Sequence, residues 1–172
     1  MRNPKNPGYW LAGLAIAASL ATTGCGGAPS TAQPEASTAA QPDTGNAAQL
    51  EANKKTAVAF YDAAINQKDY EAAKQYLGTQ YKQHNPTAAD GAEGLKGFVD
   101  FLKSRFPNQK GEIKRVIAEG DLVVLHVHST RGDNTPGRAI VDIFRLENDK
   151  VVEHWDVIQD IPEKPANSNG MF

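Results

Sequence analysis

Three ionisable side chains near the end of the chain have the types and spacing that proton transfer requires. His154 and Asp156 lie two residues apart in the strand-like segment 151–159, and Asp142 lies in a similar apolar segment just upstream. Side chains alternate between the faces of a strand, so His154 and Asp156 share one face. Residues 147–150 read as a turn, and the resulting antiparallel hairpin would place Asp142 alongside them. The pattern predicts one site that holds two acids and an imidazole.

Such a group is costly to bury unless its members have partners or a function. A carboxyl group in an apolar pocket has a raised pKa, which suits proton transfer near neutral pH. Two acids in different environments can then act as base and as hydrogen-bond donor. The plainer interpretation is structural: Asp142 would pair with Arg138 or Arg145, and His154 with Asp156. The residues alone leave both interpretations open.

Candidate ligand-binding residues surround these three. Phe144 and Ile158 share strand faces with the acids. Tyr81, His84 and Asn85 precede Pro86, where a helical pattern gives way to an extended segment and a side chain can enter a pocket mouth. A solvated turn histidine is the alternative interpretation of His84.

A second pair of histidines lies on one predicted strand. His126 and His128 are two residues apart, a spacing compatible with zinc, copper or iron, although a closed metal site needs three or four ligands. His154 and Asp156 could complete such a set, but nothing in the spacing requires it. We interpret the pair as packing or pocket-lining residues, with His126 as a candidate ligand contact, and expect no metal and no other cofactor.

The remaining motifs exclude several functional classes. The chain has no Gly-x-Ser-x-Gly, no phosphate-binding glycine loop and no dinucleotide fingerprint. Without Arg2 and Lys5, 16 of its 18 basic residues remain against 20 acidic ones, and no basic stripe suggests nucleic acid. Cys25 is the only cysteine, so no intramolecular disulfide can form.

The N-terminal segment is typical of an exported protein. Residues 1–24 have a basic start and a short apolar stretch and end in Gly24 before Cys25, which resembles a bacterial lipoprotein signal. An ordinary secretory signal or an uncleaved anchor is the alternative. Residues 25–49 are rich in Ala, Pro, Ser and Thr and predict a flexible tether. We therefore expect a domain at 50–172 that is anchored through a lipid on Cys25 to a membrane of the bacterial cell envelope.

Helical and then alternating patterns follow one another in this domain. The predicted helices cover residues 57–68, 70–77 and 91–105. The predicted strands cover residues 113–118, 122–130, 138–146 and 151–159. Asp69 is placed to cap the second helix. Helices followed by a meander predict an α+β fold, a cone-shaped roll of N-terminal helices packed on a curved antiparallel sheet that can enclose a small apolar ligand.

Five motifs carry a resemblance to a known family. They are YKQHNP at 81–86, AEGD at 118–121, VDIFR at 141–145, VEHWDVIQ at 152–159 and NSNGMF at 167–172. Over residues 50–172 the chain resembles SnoaL-like proteins of the nuclear-transport-factor-2-like superfamily. It is most similar to the group described as aldol-condensation-catalysing enzymes.

This resemblance implies roles for particular residues. SnoaL closes a ring by intramolecular aldol condensation without a metal or organic cofactor, and the position of its acid/base aspartate in the last strand implies that role for Asp156. Ketosteroid isomerases of the superfamily carry a hydrogen-bonding acid in an Asp-x-Phe-Arg strand, which matches Asp142. Their general base precedes a proline where this chain has Asn85, which argues against isomerase chemistry by the same arrangement. Asn85 and His84 would then be polar pocket contacts.

Three functions remain from the sequence. The first is a cofactor-independent enzyme of the aldol, cyclase or isomerase type that acts on a small carbonyl compound. In it Asp156 would move a proton while Asp142 or His154 stabilises the enolate. The second is a non-catalytic lipoprotein that binds a small apolar molecule. The third is an accessory module that uses the outer face of the sheet for a homodimer or another partner.

Overall fold

The computed structural model describes residues 44–172, with side chains from residue 46 onward. The predicted signal peptide 1–24, the predicted lipidation site Cys25 and the tether up to residue 43 lie outside the described residues. Within residues 44–172, no helix is both long and apolar enough to cross a membrane.

Three helical segments form one layer of the domain. They are α1 Thr44–Tyr61 with a π-helical extension Asp62–Gln67, α2 Tyr70–Ala73 with a 3-10 turn Lys74–Tyr76, and α3 Gly91–Arg105. The extension ends at Lys68, which has a left-handed backbone (φ 53°). Asp69 then caps α2 as predicted, because its carboxylate accepts from the N–H of Ala72 at 3.0 Å.

Helix α1 begins inside the segment that we predicted as tether. Residues 44–49 are helical, and the side chain of Gln49 donates to Asn53 and to Asp149, each at 3.0 Å. The alanines in this segment favour a helix once such contacts anchor it. The predicted tether, residues 25–49, is therefore wrong for residues 44–49, which belong to α1.

The second layer is a five-stranded sheet. Its strands are β1 Leu77–Gln83, β2 Lys110–Glu119, β3 Leu122–Thr130, β4 Arg138–Glu147 and β5 Lys150–Asp160. They lie in the order β1-β5-β4-β3-β2, with β1 parallel to β5 and every other pair antiparallel. The α+β class and the helices packed on a curved sheet are confirmed. The sheet is mixed, however, which corrects the predicted all-antiparallel arrangement.

Strand β1 was missed because its sequence gives almost no strand signal. It reads LGTQYKQ, and only Tyr81 is fully buried. As an edge strand it is held through backbone pairing with β5, which lies about 70 residues away in the chain. Backbone pairing with β5 continues one residue beyond β1, because the N–H of His84 donates to the carbonyl of His154 at 2.9 Å.

The β4–β5 hairpin forms as predicted. Asn148 and Asp149 have positive φ values of 50° and 58°, which are typical of a two-residue hairpin turn. The resulting register pairs Asp142 directly with Asp156.

The core lies between the helices and the inner face of the sheet. Val123, Leu125 and Val127 alternate inward along β3 and are fully buried. Phe60 of α1 contacts Phe144 edge-on, with ring centroids 5.6 Å apart. This aromatic contact joins the first helix to the centre of the sheet.

Candidate active site

A cavity of about 280 Å³ lies between the helices and the inner face of the sheet, beside the core. It is lined by Phe60, Tyr61, Ala64, Ile65, Tyr81, Gln83, Asn85, Thr87, Ala88, Leu95, Phe98, Phe101, Leu102, Phe106, Gln109, Arg131, Arg138, Ile140, Asp142, Phe144, His154, Asp156 and Ile158. The three ionisable residues at the centre of the sequence prediction all line it. The volume suits a small molecule of one or two rings.

His154 and Asp142 form a buried pair at the inner wall. The Nε2 atom of His154 lies 3.1 Å from Oδ1 of Asp142, and the imidazole stacks on the ring of Phe144 with centroids 4.8 Å apart. Neither arginine that could have paired with Asp142 takes this place. Arg145 instead pairs with Glu153 on the outer face of the sheet.

The hydrogen bonds around Gln83 determine the tautomer of His154. The backbone N–H of Asn85 can only donate, and it lies 2.9 Å from Oε1 of Gln83, so that atom is an acceptor. The same oxygen lies 2.9 Å from Nδ1 of His154, so Nδ1 must carry a proton. Nε2 then shares one proton with Asp142: either the acid donates to the imidazole, or an imidazolium donates to the carboxylate.

Burial favours the first of these two forms. Removal from water is the largest effect on Asp142 and raises its pKa, against the hydrogen bond and charge of His154. The Oδ2 atom of Asp142 is also buried and has no hydrogen-bond partner. An unpaired oxygen of a neutral carboxylic acid costs less to bury than one of a carboxylate. Burial and the unpaired oxygen both favour the form in which Asp142 keeps its proton and donates it to Nε2.

Asp156 has the opposite environment. Its two carboxylate oxygens accept from Nδ2 of Asn85 at 3.0 and 2.7 Å. The orientation of this amide is determined by Thr87, whose backbone N–H donates to Oδ1 of Asn85 at 2.8 Å. Asp156 is only partly buried, whereas Asp142 is 6% exposed. The site thus contains one carboxyl group that accepts amide hydrogen bonds and one that is desolvated.

Tyr81 adds a hydroxyl group to the same wall. Its oxygen accepts from Nε2 of Gln83 at 3.3 Å, which leaves the hydroxyl hydrogen for a cavity ligand. Burial raises the pKa of Tyr81, so the hydroxyl keeps its proton at neutral pH.

The same side chains could also hold a cation. Asp142, His154 and Asp156 offer ligand atoms that all lie within 4.8 Å of one another. Two carboxylates and one imidazole are a suitable donor set for a divalent metal with an open position. A metal there would have to displace the proton that Asp142 shares with His154. That no metal is needed remains a prediction.

Two predicted ligand contacts, His84 and His126, lie on the outer face of the sheet and not in the cavity. Alternation along β1 places Tyr81, Gln83 and Asn85 towards the cavity, so His84 points outward, where its ring stacks on Trp155 at 4.6 Å and its Nε2 atom contacts Glu153 at 2.7 Å. This corrects the predicted role of His84 at the pocket mouth.

His126 is the other incorrect contact. The inward residues of β3 are its buried valines and leucine, so His126 and His128 lie on the outer face. There the Nδ1 atom of His126 lies 2.9 Å from Arg115, and both imidazoles contact the ring of Phe172. The other predicted contacts, Tyr81, Asn85, Phe144 and Ile158, do line the cavity.

Sequence reasoning missed several residues of the site. Gln83 connects His154 to Asn85, yet it was considered only as part of a motif. Its two-residue spacing from Tyr81 would have identified it, had β1 been recognised as a strand. Gln109, Arg131 and Arg138 also line the cavity, and only Arg138 lies on a strand whose alternation could have predicted this.

Comparisons with known proteins agree with this fold. A family model described as SnoaL-like domain matches residues 57–154. Comparison with curated protein sequences found no significant match. Several solved structures share the fold.

Three of these structures illustrate the likeness. A candidate polyketide cyclase from Acidithiobacillus ferrooxidans is 19% identical, with a TM-score of 0.53 over 62% of this chain and 87% of its own. A candidate polyketide cyclase from Bacillus cereus is 23% identical, with a TM-score of 0.55 over 62% and 74% of the two chains. An uncharacterized cystatin fold protein from Novosphingobium aromaticivorans is 25% identical, with a TM-score of 0.53 over 61% and 97%. Because the family model spans more than half of the chain, the protein belongs to the SnoaL-like domain family, as its motifs predicted.

Proposed function

We propose that the domain is an acid–base enzyme that removes a proton beside the carbonyl group of a small compound, in an aldol condensation, cyclisation or isomerisation. The observation that carries this proposal is the direct pairing of two carboxyl groups with different partners, Asp156 with an amide donor and Asp142 with an imidazole. Such a difference in environment divides the roles of base and donor between two acids. The family and the candidate polyketide cyclases of the same fold support the reaction class.

In the first step Asp156 takes a proton from the carbon beside the carbonyl. The C–H bond breaks, an O–H bond forms on the carboxylate, and the electron pair moves onto the carbonyl oxygen as an enolate. Asn85 holds both oxygens of Asp156 and so orients the base towards the cavity. Such positioned general bases contribute about 10²–10⁴ in rate.

The enolate oxygen then needs hydrogen-bond donors. The hydroxyl of Tyr81 is the candidate donor on the same wall, because its oxygen accepts from Gln83 and its hydrogen is free. The hydrogens of the Asp142–His154 pair are already used within the pair and towards Gln83. The spacing of at most 4.8 Å among the three ionisable groups allows one enolisable fragment to contact the base and this pair together. The enolate carbon next attacks a second carbonyl carbon, or Asp156 returns the proton to a different carbon.

The test is exchange of carbonyl-adjacent protons for deuterium, followed by NMR on a panel of small aryl ketones and diketones. This assay measures the first step without requiring the natural substrate. Asp156→Asn keeps the shape but removes the proton acceptor, so we expect exchange to fall by about 10²–10⁴. Glu153→Gln, a matched change on the outer face of the same strand, should leave exchange unchanged. Undiminished exchange by Asp156→Asn would contradict the proposal.

Two controls separate the proposal from its rivals. Exchange that disappears after dialysis against a chelator would replace the acid–base role by a metal-dependent one at the same residues. A protein that never exchanges any ketone, yet melts at a higher temperature with apolar ligands, would be the non-catalytic binding protein instead. The apolar and aromatic lining of the cavity is the observation that keeps this second function in consideration. Export and anchoring through Cys25 remain predictions from the sequence.

A further inference from the structure

The cavity has a second polar end, at a distance from the acids. Arg138, Ile140 and Asp142 alternate along β4 on its inner face, and all three line the cavity. Four residues of extended strand separate the Cα atoms of Arg138 and Asp142 by about 13 Å. Arg131, from the segment between β3 and β4, lines the cavity as well. A positive end and an acidic end therefore lie on either side of an apolar middle.

The two arginines at this end have no carboxylate partner. Among residues 46–172, no ion pair within 4.0 Å involves Arg138 or Arg131. Burial, and secondly the charge of Arg131, lower the pKa of Arg138, while the negative charges of Asp160, its cross-strand neighbour, and of Asp133 oppose this. The guanidinium group of Arg131 lies over the ring of Phe106, 4.4 Å from its centroid. Arg138 is partly buried, whereas Arg131 is exposed. A partly buried cation that has no ion pair is unfavourable unless a ligand supplies a counter-ion.

Arg145 provides a contrast on the same strand. It lies on the outer face of the same strand and contacts the carboxylates of Glu147 and Glu153. Strand β4 thus carries one arginine with carboxylate partners, Arg145, and one without an ion pair, Arg138. Only Arg138 faces the cavity.

We infer that Arg138 and Arg131 bind a carboxylate group of the substrate while its carbonyl group lies against Asp156. The carbonyl end of this inference rests on the proposed function; the carboxylate end does not. A guanidinium group offers a planar pair of donors that matches the two oxygens of a carboxylate. Ile140 and its cross-strand partner Ile158 provide apolar contacts between the ends, and about 280 Å³ accommodates a one- or two-ring body. The substrate class is thus a small aryl or alicyclic keto acid.

The experiment compares two probes that differ in one charge: 6-acetyl-2-naphthoate and the corresponding neutral amide. Their dissociation constants are measured by calorimetry at low ionic strength and neutral pH. Charge-assisted hydrogen bonds should make the acid bind about 10- to 100-fold more tightly than the amide. Arg138→Gln should remove most of this preference and leave the affinity for the amide unchanged. Arg138→Lys, which keeps the charge but not the planar pair of donors, should be intermediate.

Two further variants make the result specific. Arg115→Gln, on the outer face, should keep the full preference. Asp156→Asn should lose deuterium exchange yet also keep the preference, so failure of the proposed function and failure of this inference can be distinguished. Equal affinity for acid and amide in the wild type, or no measurable binding of either, would overturn the inference. So would a full preference that persists in the double variant Arg131→Gln/Arg138→Gln with an unchanged melting temperature.

Discussion

Two histidine–carboxylate pairs lie on opposite faces of the sheet at β5, and their difference shows how environment determines the chemistry of a residue. Inside, His154 pairs with Asp142, which is 6% exposed, and burial raises the pKa of that acid. Outside, His84 pairs with Glu153, which also accepts from Arg145 at 2.8 Å. The hydrogen bonds from His84 and Arg145 lower the pKa of Glu153 to about 2.

Residues 153 and 154 are neighbours, so one step along the strand changes the environment completely. In the outer pair, Glu153 contacts Arg145 as well as His84, so its carboxylate has partners on both oxygens. The inner pair shares a proton at the wall of the cavity and leaves one carboxyl oxygen without a partner. This difference is why the proposed function uses the inner pair.

The largest expected contrast between the pairs is in stability. His154→Leu keeps an apolar side chain against Phe144 but leaves Asp142 buried without any partner, which should cost about 1–3 kcal/mol of unfolding free energy. His84→Leu leaves Glu153 paired with Arg145 at the surface, so the loss should be about 0–1 kcal/mol. Urea denaturation of both variants at pH 7 measures the difference. Equal losses would mean that the inner pair is not desolvated.

A smaller effect is expected when Asp142 is replaced by its neutral analogue. In Asp142→Asn the amide can still donate to Nε2 of His154, so the geometry of the site should persist. Deuterium exchange should therefore fall by less than the roughly 10² expected for loss of the base. A fall as large as that of Asp156→Asn would instead identify Asp142 as a group that transfers its proton.

The structure also changes the expectation for His84. Its ring lies outside the cavity, so His84→Leu should alter neither ligand affinity nor exchange. A loss of ligand affinity in His84→Leu, with exchange unchanged, would instead support the predicted ligand contact of His84.

The sequence predicted the hairpin because its signals are local. Alternating residues give the strands, the Asn148–Asp149 turn gives the register, and together they place Asp142 opposite Asp156. The predicted α3 and β3 also agree with the structure, since both have regular apolar spacing.

The rest depended on contacts that the sequence does not encode locally. Strand β1 is a polar edge strand held by distant pairing, so the inward side of Gln83 and the outward side of His84 could not be assigned. On β3, apolar residues occur on both faces, so alternation alone did not show that His126 points outward.

The smallest expected contrast is in the pH dependence of stability. The folded pKa of Asp142 is raised above its usual 3.8, so the unfolded chain loses this proton first and stability falls as pH rises above about 3.8. Glu153 has the opposite sign: its contribution is complete above pH 4.5 and is lost as pH falls towards about 2.

Two variants separate these contributions. Relative to wild type, the free energy of unfolding of Asp142→Asn should increase as pH rises. The stability that Glu153→Gln lacks relative to wild type should shrink as pH falls from 4.5 towards about 2. Urea denaturation across this pH range measures both, and parallel curves for wild type and variants would contradict the assignment.

The most direct test of the account is a carboxyl-carbon NMR titration of protein labelled at aspartate and glutamate, with Asp142→Asn and Glu153→Gln used to assign the two signals. The account predicts that Asp142 titrates above the usual 3.8 of aspartate and that Glu153 titrates near 2. An Asp142 signal that titrates at or below 3.8 would show a carboxylate paired with an imidazolium. It would contradict the claim that burial in the cavity favours the protonated form of Asp142.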